Sequence, residues 1–367
     1  MAQEALYRKY RPSTFEGVIG QEHITRTLSN QVKSGHISHA YLFTGSRGTG
    51  KTSTARIFAR AINCLNNENG SPCENCENCL KLNDANMDII EIDAASNNRV
   101  DEIREIRERV KFAPVNGKYK VYIIDEVHML TDSAFNALLK TLEEPPPYVV
   151  FILGTTEVHK LPSTILSRCI RFDFRLVSVK QLSNLLSDIL QKENISVTPE
   201  AIKLIANAGD GSVRDMLSIA DCVCAFTGNN TITAEKVNEV LGGTDIQKVI
   251  EFCGYLFSKD IGKSLESINN FCLQGANLLV LIKDISNICR NLLIVKTCSN
   301  YNELVVATDE VMQKLQTLAQ SVSEEKLIDA MKVFGGIEPQ LRYAISPRIL
   351  IETASLDIIS GEVQKKN

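Results

Sequence analysis

Hydrophobic residues follow two rhythms along this chain, and the change comes near residue 178. Before it, short apolar runs, Ala40-Tyr41-Leu42-Phe43, Ile89-Ile90-Glu91-Ile92-Asp93, Val121-Tyr122-Ile123-Ile124-Asp125 and Val149-Val150-Phe151-Ile152-Leu153-Gly154, alternate with stretches of helical period. Runs of that length predict buried strands of a parallel sheet with helical crossovers. Helices are expected at about 21–34, from Lys51 through Ala55, Ile57, Phe58 and Ala61, at 100–112 and at 132–143, the last stopped by Pro145-Pro146-Pro147. A short helix at 162–166 and a strand at 170–174 follow. Beyond 178 only the 3.6-residue period remains: near 179–193, 199–208, 212–226 and 234–241, then past Gly242-Gly243 a longer helical region with Ile282, Ile285, Ile288 and Leu292 on one face. The pattern predicts an α/β domain with a parallel sheet over 1–178, a small all-α lid over 179–243, and an all-α bundle or collar over 244–367. No internal repeat stands out.

The first apolar run leads into Gly45-Ser46-Arg47-Gly48-Thr49-Gly50-Lys51-Thr52, and the helix opens directly after it. Strand, glycine-rich turn and helix in that order are the context of a phosphate-binding loop. The glycines let the backbone curl so that amide N–H groups converge at a helix N-terminus, where the dipole favours an anion. Lys51 would reach the β- and γ-phosphates of a nucleoside triphosphate, and the Thr52 hydroxyl would ligate Mg²⁺.

Other candidates gain meaning from that loop. Asp125 and Glu126 end an apolar strand, and in a parallel sheet ligands gather at carboxyl ends of strands. Asp125 is suited to Mg²⁺, and Glu126 to orienting and deprotonating an attacking water. Thr155, at the end of the next strand, either touches the γ-phosphate or is simply a good strand residue. His128 reads as a packing or hydrogen-bonding residue. Arg168, between the short helix and the strand at 170, is either an arginine finger on a short tether or half of a structural salt bridge. Ser212 reads as an N-cap, which sets Arg214 in a first helical turn where the dipole disfavours a cation, a conflict that an external anion would resolve. The arm Tyr7-Arg8-Lys9-Tyr10-Arg11-Pro12 and the turn Val18-Ile19-Gly20 either wall a base or form an ordinary surface arm. After Asn98-Arg99, Arg104, Arg107 and Lys111 form a basic stripe that either tracks a phosphate backbone or is ion-paired with Glu102, Glu105 and Glu108.

Eleven cysteines are present, and Cys64, Cys73, Cys76 and Cys79 crowd into one stretch rich in Asn, Glu and Gly. Two overlapping CxxC steps and a fourth thiol at a helix end suit a structural tetrahedral zinc site, with an iron–sulfur cluster or four unligated thiols as alternatives. Such a segment packs no core by itself, so a metal would order it. The chain has 367 residues, 44% hydrophobic and 23% charged, with a net charge of −4, which gives no electrostatic reason to expect strong unaided nucleic-acid binding, so any DNA contact must come from a local patch. No apolar run is long enough to span a bilayer and the first residues do not resemble a signal peptide, so a cytoplasmic location with no membrane partner is expected.

Taken together, Tyr-Arg-Lys-Tyr-Arg-Pro near the start, Gly45 to Thr52, the four-cysteine insert, Asp125-Glu126-Val127-His128-Met129-Leu130, Asn136 to Pro146 and Ser167-Arg168-Cys169 resemble the γ/τ subunits of bacterial DNA polymerase III clamp loaders, within the AAA+ ATPases. The resemblance runs over nearly the whole chain. It implies a P-loop AAA+ domain with a zinc insert at 64–79, then the lid and collar, and ATP hydrolysis that opens a ring-shaped sliding clamp and loads it on primer-template DNA. By resemblance, Lys51 and Thr52 are the Walker A pair, Asp125 and Glu126 the Walker B pair, Thr155 sensor 1, Arg168 a finger acting in trans and Arg214 sensor 2 acting in cis. Gly45, Ser46, Arg47, Gly48, Thr49 and Gly50 would cradle phosphates, Tyr7, Arg11, Val18 and Ile19 would contact adenine, and Asn98, Arg99 and Arg104 would face DNA. Implied partners are δ, δ′ and further γ/τ copies in a heteropentamer at the replisome. Family τ forms carry further C-terminal domains, so the chain reads as a truncated core. The rivals are a non-hydrolysing scaffold subunit, which the intact Lys51, Thr52, Asp125 and Glu126 oppose, and a hexameric AAA+ DNA motor.

Overall fold

The apolar runs become five strands, β1 (Ala40–Thr44), β2 (Ile89–Asp93), β3 (Lys120–Asp125), β4 (Val149–Thr155) and β5 (Ile170–Asp173), paired in parallel in the order β2-β3-β4-β1-β5. The computed structural model describes residues 4–67, 69–81, 87–96, 105–106, 108–228, 230–241, 246–305, 307, 309–341 and 343–361. The period of two along each strand explains why the runs are unbroken. Tyr41, Phe43, Val121, Ile123, Val150 and Ile152 face one apolar layer, while Ala40, Leu42, Tyr122, Ile124, Phe151 and Leu153 face the other. Each face is covered by helices, so neither set of side chains meets water. Full burial of such a side chain contributes about 1.5–3 kcal/mol.

The helices of this unit are α1 (Leu6–Lys9), α2 (Glu22–Ser34), α3 (Lys51–Asn63), α4 (Glu77–Lys81), α5 (Asp132–Glu143) and α6 (Ser163–Leu166), then α7 (Val179–Lys192), α8 (Pro199–Ala208) and α9 (Val213–Thr227). α2 and α3 cover the first layer, and Phe135 and Leu138 of α5 pack into the second. Hydroxyl caps mark the later starts. Ser178 and Gln181 form a capping box at α7, Thr198 accepts from Ala201 N before Pro199 of α8, and Ser212 accepts from Asp215 N at α9.

Contacts divide the chain into units Met1–Thr233 and Ala234–Asn367. The second holds α10 (Ala234–Leu241), α11 (Ile246–Phe257), α12 (Ile261–Leu273), α13 (Leu278–Thr297), α14 (Tyr301–Leu304), α15 (Asp309–Ser321), α16 (Glu324–Leu341) and α17 (Pro347–Ser360). Ile282, Ile285, Ile288 and Leu292 of α13 are buried in one core with Leu327 and Phe334 of α16. Among the described residues, no helix is long and apolar enough to cross a membrane.

One sequence expectation is corrected. The run 89–93 reads as a buried strand, but β2 is an edge strand of half-buried and exposed residues, because among the described residues β3 is its only strand neighbour. Its Glu91 is exposed enough to take both Nε and Nη2 of Arg56 from α3, at 2.6 and 2.7 Å. Asn98, Arg99, Arg104, Arg107 and Gly242-Gly243 lie outside the described residues. Of the charged stripe that continues past them, Lys111 pairs with Glu108 at 2.6 Å and Arg109 with Glu105 at 3.6 Å.

Candidate functional site

β1 ends at the buried Thr44 and the chain turns through the glycine-rich loop into α3. Two positions there strongly favour glycine. Gly45 has φ +138°, and a Cβ on it would stand 2.5 Å from the Phe174 carbonyl oxygen; Gly48 has φ +75°, and a Cβ would stand 1.9 Å from Ser212 Oγ. The loop is closed on itself. Lys51 Nζ donates to the carbonyls of Gly45 at 2.6 Å and Ser46 at 2.8 Å, and Thr49 Oγ1 donates to Ser46 O at 2.8 Å. Burial lowers the Lys51 pKa, with the Glu126 and Asp125 charges opposing that fall. An anion at the loop would favour the charged ammonium.

Asp125 comes to the loop from the end of β3, and Thr52 Oγ1 donates to its Oδ2 at 2.6 Å. Gly154 on β4 leaves it room, since a Cβ there would lie 2.8 Å from Asp125 Oδ1. Glu126 sits in the left-handed region with φ +47°, which turns its carboxylate back over β4. It accepts from Thr156 N at 3.3 Å and Thr156 Oγ1 at 3.0 Å. Thr155 is bonded elsewhere. Its Oγ1 accepts from Glu157 N at 3.0 Å and lies 3.1 Å from His128 Nδ1. His128 is therefore a hydrogen-bonding residue, with Nδ1 3.3 Å from Glu126 Oε2 and Nε2 3.3 Å from Glu157 Oε1.

The loop from Arg47 to Thr52, with Asp125 and Glu126, opens on a cavity of about 410 Å³, whereas Thr155 and His128 do not line it. The N-terminal arm and turn supply Tyr7, Arg11, Val18 and Ile19 to its wall, so the arm is not a free surface segment. α9 supplies Arg214, whose guanidinium lies 5.2 Å from the Tyr7 ring centroid. Cations Arg11, Arg47, Lys51 and Arg214 face carboxylates Asp93, Asp125 and Glu126, so cationic side chains outnumber acidic ones and suit a polyanionic ligand. Burial, then the nearby Arg56 charge, lowers the Arg11 pKa, while Glu91 opposes the fall.

Several residues that hold this site were not singled out from sequence. Val213 N donates to Gly48 O at 3.1 Å, tying the start of α9 to the loop. Gln21, fully buried, donates to Arg175 O at 2.7 Å and accepts from Arg175 N at 3.1 Å. Leu6 N donates to Asp221 Oδ2 at 2.9 Å, and Lys9 and Tyr10 both bind Glu193, so the arm is fastened to α9 and to the end of α7. No local pattern announces a buried glutamine that bonds backbone 154 residues away.

Arg168 is not in the cavity. Its Nη2 donates to Glu143 Oε1 at 2.7 Å and its Nη1 to Thr164 O at 2.7 Å, which holds it partly exposed at the α6–β5 corner.

The four sulfurs of Cys64, Cys73, Cys76 and Cys79 lie within 4.8 Å of one another, with Cys64 and Cys76 3.9 Å apart. Four thiolates about 2.3 Å from a common zinc would stand about 3.8 Å apart. Backbone N–H groups of Cys73, Cys76 and Cys79 donate to sulfurs of Cys64, Cys73 and Cys76 at 3.3–3.4 Å. Burial raises the Cys64 thiol and, with the neighbouring thiols, raises Cys79, while at Cys76 amide donors and neighbouring thiols outweigh burial and bring it to about 6. The donor set therefore fits a soft cation such as zinc.

Comparison with known proteins agrees along the chain. Residues 20–178 match a family described as DNA polymerase III, delta subunit; 181–229 match the clamp loader subunit ATPase lid domain; and 232–358 match domain III of subunits gamma and tau. DNA polymerase III subunit tau of Bacillus subtilis is 42% identical over 98% of this chain and 63% of its own length. The Escherichia coli subunit tau is 40% identical over 81% of this chain and 46% of its own. The chain thus spans about half to two-thirds of these relatives. Among solved structures, Thermotoga maritima RuvB aligns over 66% of this chain and 78% of its own at 20% identity, with a TM-score of 0.49. With nucleotide-loop domain, lid and third domain matched in that order, the chain belongs to the DNA polymerase III gamma/tau family of clamp-loader subunits.

Proposed function

We propose that this chain is an ATP-hydrolysing subunit of the bacterial replicative clamp loader, built as an AAA+ nucleotide domain over 1–178, a lid over 179–243 and an oligomerisation collar over 244–367. One observation carries the reading: loop, strand ends and lid arginine converge on a single cavity, with Thr52 and Asp125 hydrogen-bonded at 2.6 Å, while Arg168 stands outside it.

The amides from Gly45 to Gly50, with Lys51, would bind the triphosphate, and Tyr7, Arg11, Val18 and Ile19 would flank the adenine. Thr52 and Asp125 would hold Mg²⁺, which when bound supplies charge neutralisation at the phosphates. Glu126 is the base for the attacking water, released for that work from Thr156, and Thr155 positions the reacting end of the site. Arg214 follows the γ-phosphate from the lid. Arg168 would leave Glu143 to stabilise charge on the nucleotide of a neighbouring subunit, so each complete site is shared by two chains. Cys64, Cys73, Cys76 and Cys79 would hold a structural zinc. Partners would be δ, δ′ and further copies of this chain in a heteropentamer, the sliding clamp and primer-template DNA, the last contacted through Asn98, Arg99 and Arg104, at the cytoplasmic replisome.

The decisive experiment measures single-turnover ATP hydrolysis in the assembly with δ, δ′, clamp and primed DNA. Arg168→Ala is expected to keep nucleotide binding and to slow hydrolysis on the order of 10³-fold. Undiminished hydrolysis would remove the shared-site reading.

A further inference from the structure

The four-cysteine insert is fastened to segments that bear no metal ligand. Ser71, nearly fully buried, accepts the backbone N–H of Phe15 at 3.1 Å and donates to Glu16 Oε2 at 3.0 Å. Arg60 of α3 donates to Ser13 O at 2.9 Å and also feels the charges of Glu74 and Cys79 in the insert. Ser29 of α2 donates to Asn69 O at 3.2 Å, and Gly70 lies so close that a Cβ would stand 2.4 Å from Ser29 O. Residues 13–16 are thus held between α3 and the insert. Their immediate neighbours on both sides, Arg11, Pro12, Gly17, Val18 and Ile19, line the nucleotide cavity.

Ser71 has little apolar material of its own to hold it. It lies among the eight residues between Cys64 and Cys73, a stretch that is mostly Asn, Glu, Gly and Ser. Joining Cys64 to Cys73 through one metal closes that loop and lowers the entropy lost in keeping the hydroxyl beneath Phe15.

We infer that the cysteine insert is a buttress of the nucleotide cavity, in which Ser71 is a positioning residue that fixes segment 13–16 and through it Arg11, Val18 and Ile19, so that metal occupancy sets nucleotide affinity. The inference rests on reading that cavity as the nucleotide site. Its test therefore has one readout that needs no nucleotide. In the full chain, Ser71→Ala removes the acceptor of a buried N–H. Amide exchange over residues 13–19 is expected to rise at least about tenfold, while zinc content stays at one equivalent and the sheet strands keep their protection. Ser71→Thr, which retains the hydroxyl, is expected to restore slow exchange. Calorimetric titration with a slowly hydrolysed ATP analogue and Mg²⁺ is expected to give a Kd about three- to tenfold weaker in Ser71→Ala and in chelator-treated wild type. Unchanged exchange over 13–19 in Ser71→Ala overturns the inference, whether or not nucleotide binds. Changed exchange with unchanged Kd overturns the link to affinity. Failure of wild type itself to bind the analogue would overturn the reading of the cavity instead.

Discussion

The two ends of α3 carry two sites built on different principles. At the N-terminal end, Gly45 to Thr52 is shaped by backbone: positive φ at Gly45, Gly48 and Gly50, loop carbonyls closed by Lys51, and a fully buried strand behind. At the C-terminal end, Cys64 caps the helix and the chain enters a polar segment whose main buried side chains are thiols. The first site is built on the end of the sheet. The second gathers four sulfurs that suit an ion. Both ends nonetheless bear on one cavity, the first directly and the second through Ser71 and residues 13–16.

The largest expected effect is at the N-terminal end. Lys51→Ala removes the buried cation of the loop and is expected to weaken ATP binding on the order of a hundredfold or more by calorimetry, with the fold retained. An affinity equal to wild type would show that the loop is not the phosphate site. Cys76→Ser tests the opposite end. Zinc measured by elemental analysis should fall from one equivalent to a small fraction, and amide exchange should rise over 64–80 but not in β1, β3 or β4. Global unfolding would break the comparison, because the metal would then hold the sheet as well.

Gly48→Ala should be smaller and mixed. A Cβ at φ +75° strains the backbone and meets Ser212 Oγ, so a stability loss of about 1–3 kcal/mol is expected, together with release of α9 from the loop. Thermal unfolding measures the first and amide exchange at Val213 the second; a variant as stable and as protected as wild type would deny that the lid rests on the loop. The gentlest probe is pH. Protons compete with a metal for the thiolates, so zinc transfer to a chelator should accelerate as pH falls from about 7 to about 5 and slow as it rises. Release indifferent to pH would remove thiolate ligation.

Much of the first unit was legible because its signals are local. Continuous apolar runs marked four strands, the helical period marked α7, α8 and α9 with Ser212 as the cap of the last, and the spacing from Gly45 to Thr52 identified a phosphate loop. An apolar run does not reveal how many neighbours a strand has, and among the described residues β2 pairs only with β3, which leaves 89–93 less buried than its composition suggests. For the arm at Tyr7 to Arg11, cavity wall and free surface were equal readings in one dimension. Contacts with Asp221 and Glu193, about two hundred residues later, decide between them.

The linear order of residues thus determined the family, the strand and helix pattern, the phosphate loop and the four thiols, because each depends on spacings of a few residues and on backbone preferences that act locally. The folded chain alone decided that Thr156 rather than Thr155 holds Glu126, that Arg168 pairs with Glu143, and that Ser71 anchors the arm. Those choices follow from hydrogen bonds and close packing between distant segments, which form only once burial has brought them within about 3 Å and made an unpaired polar group costly.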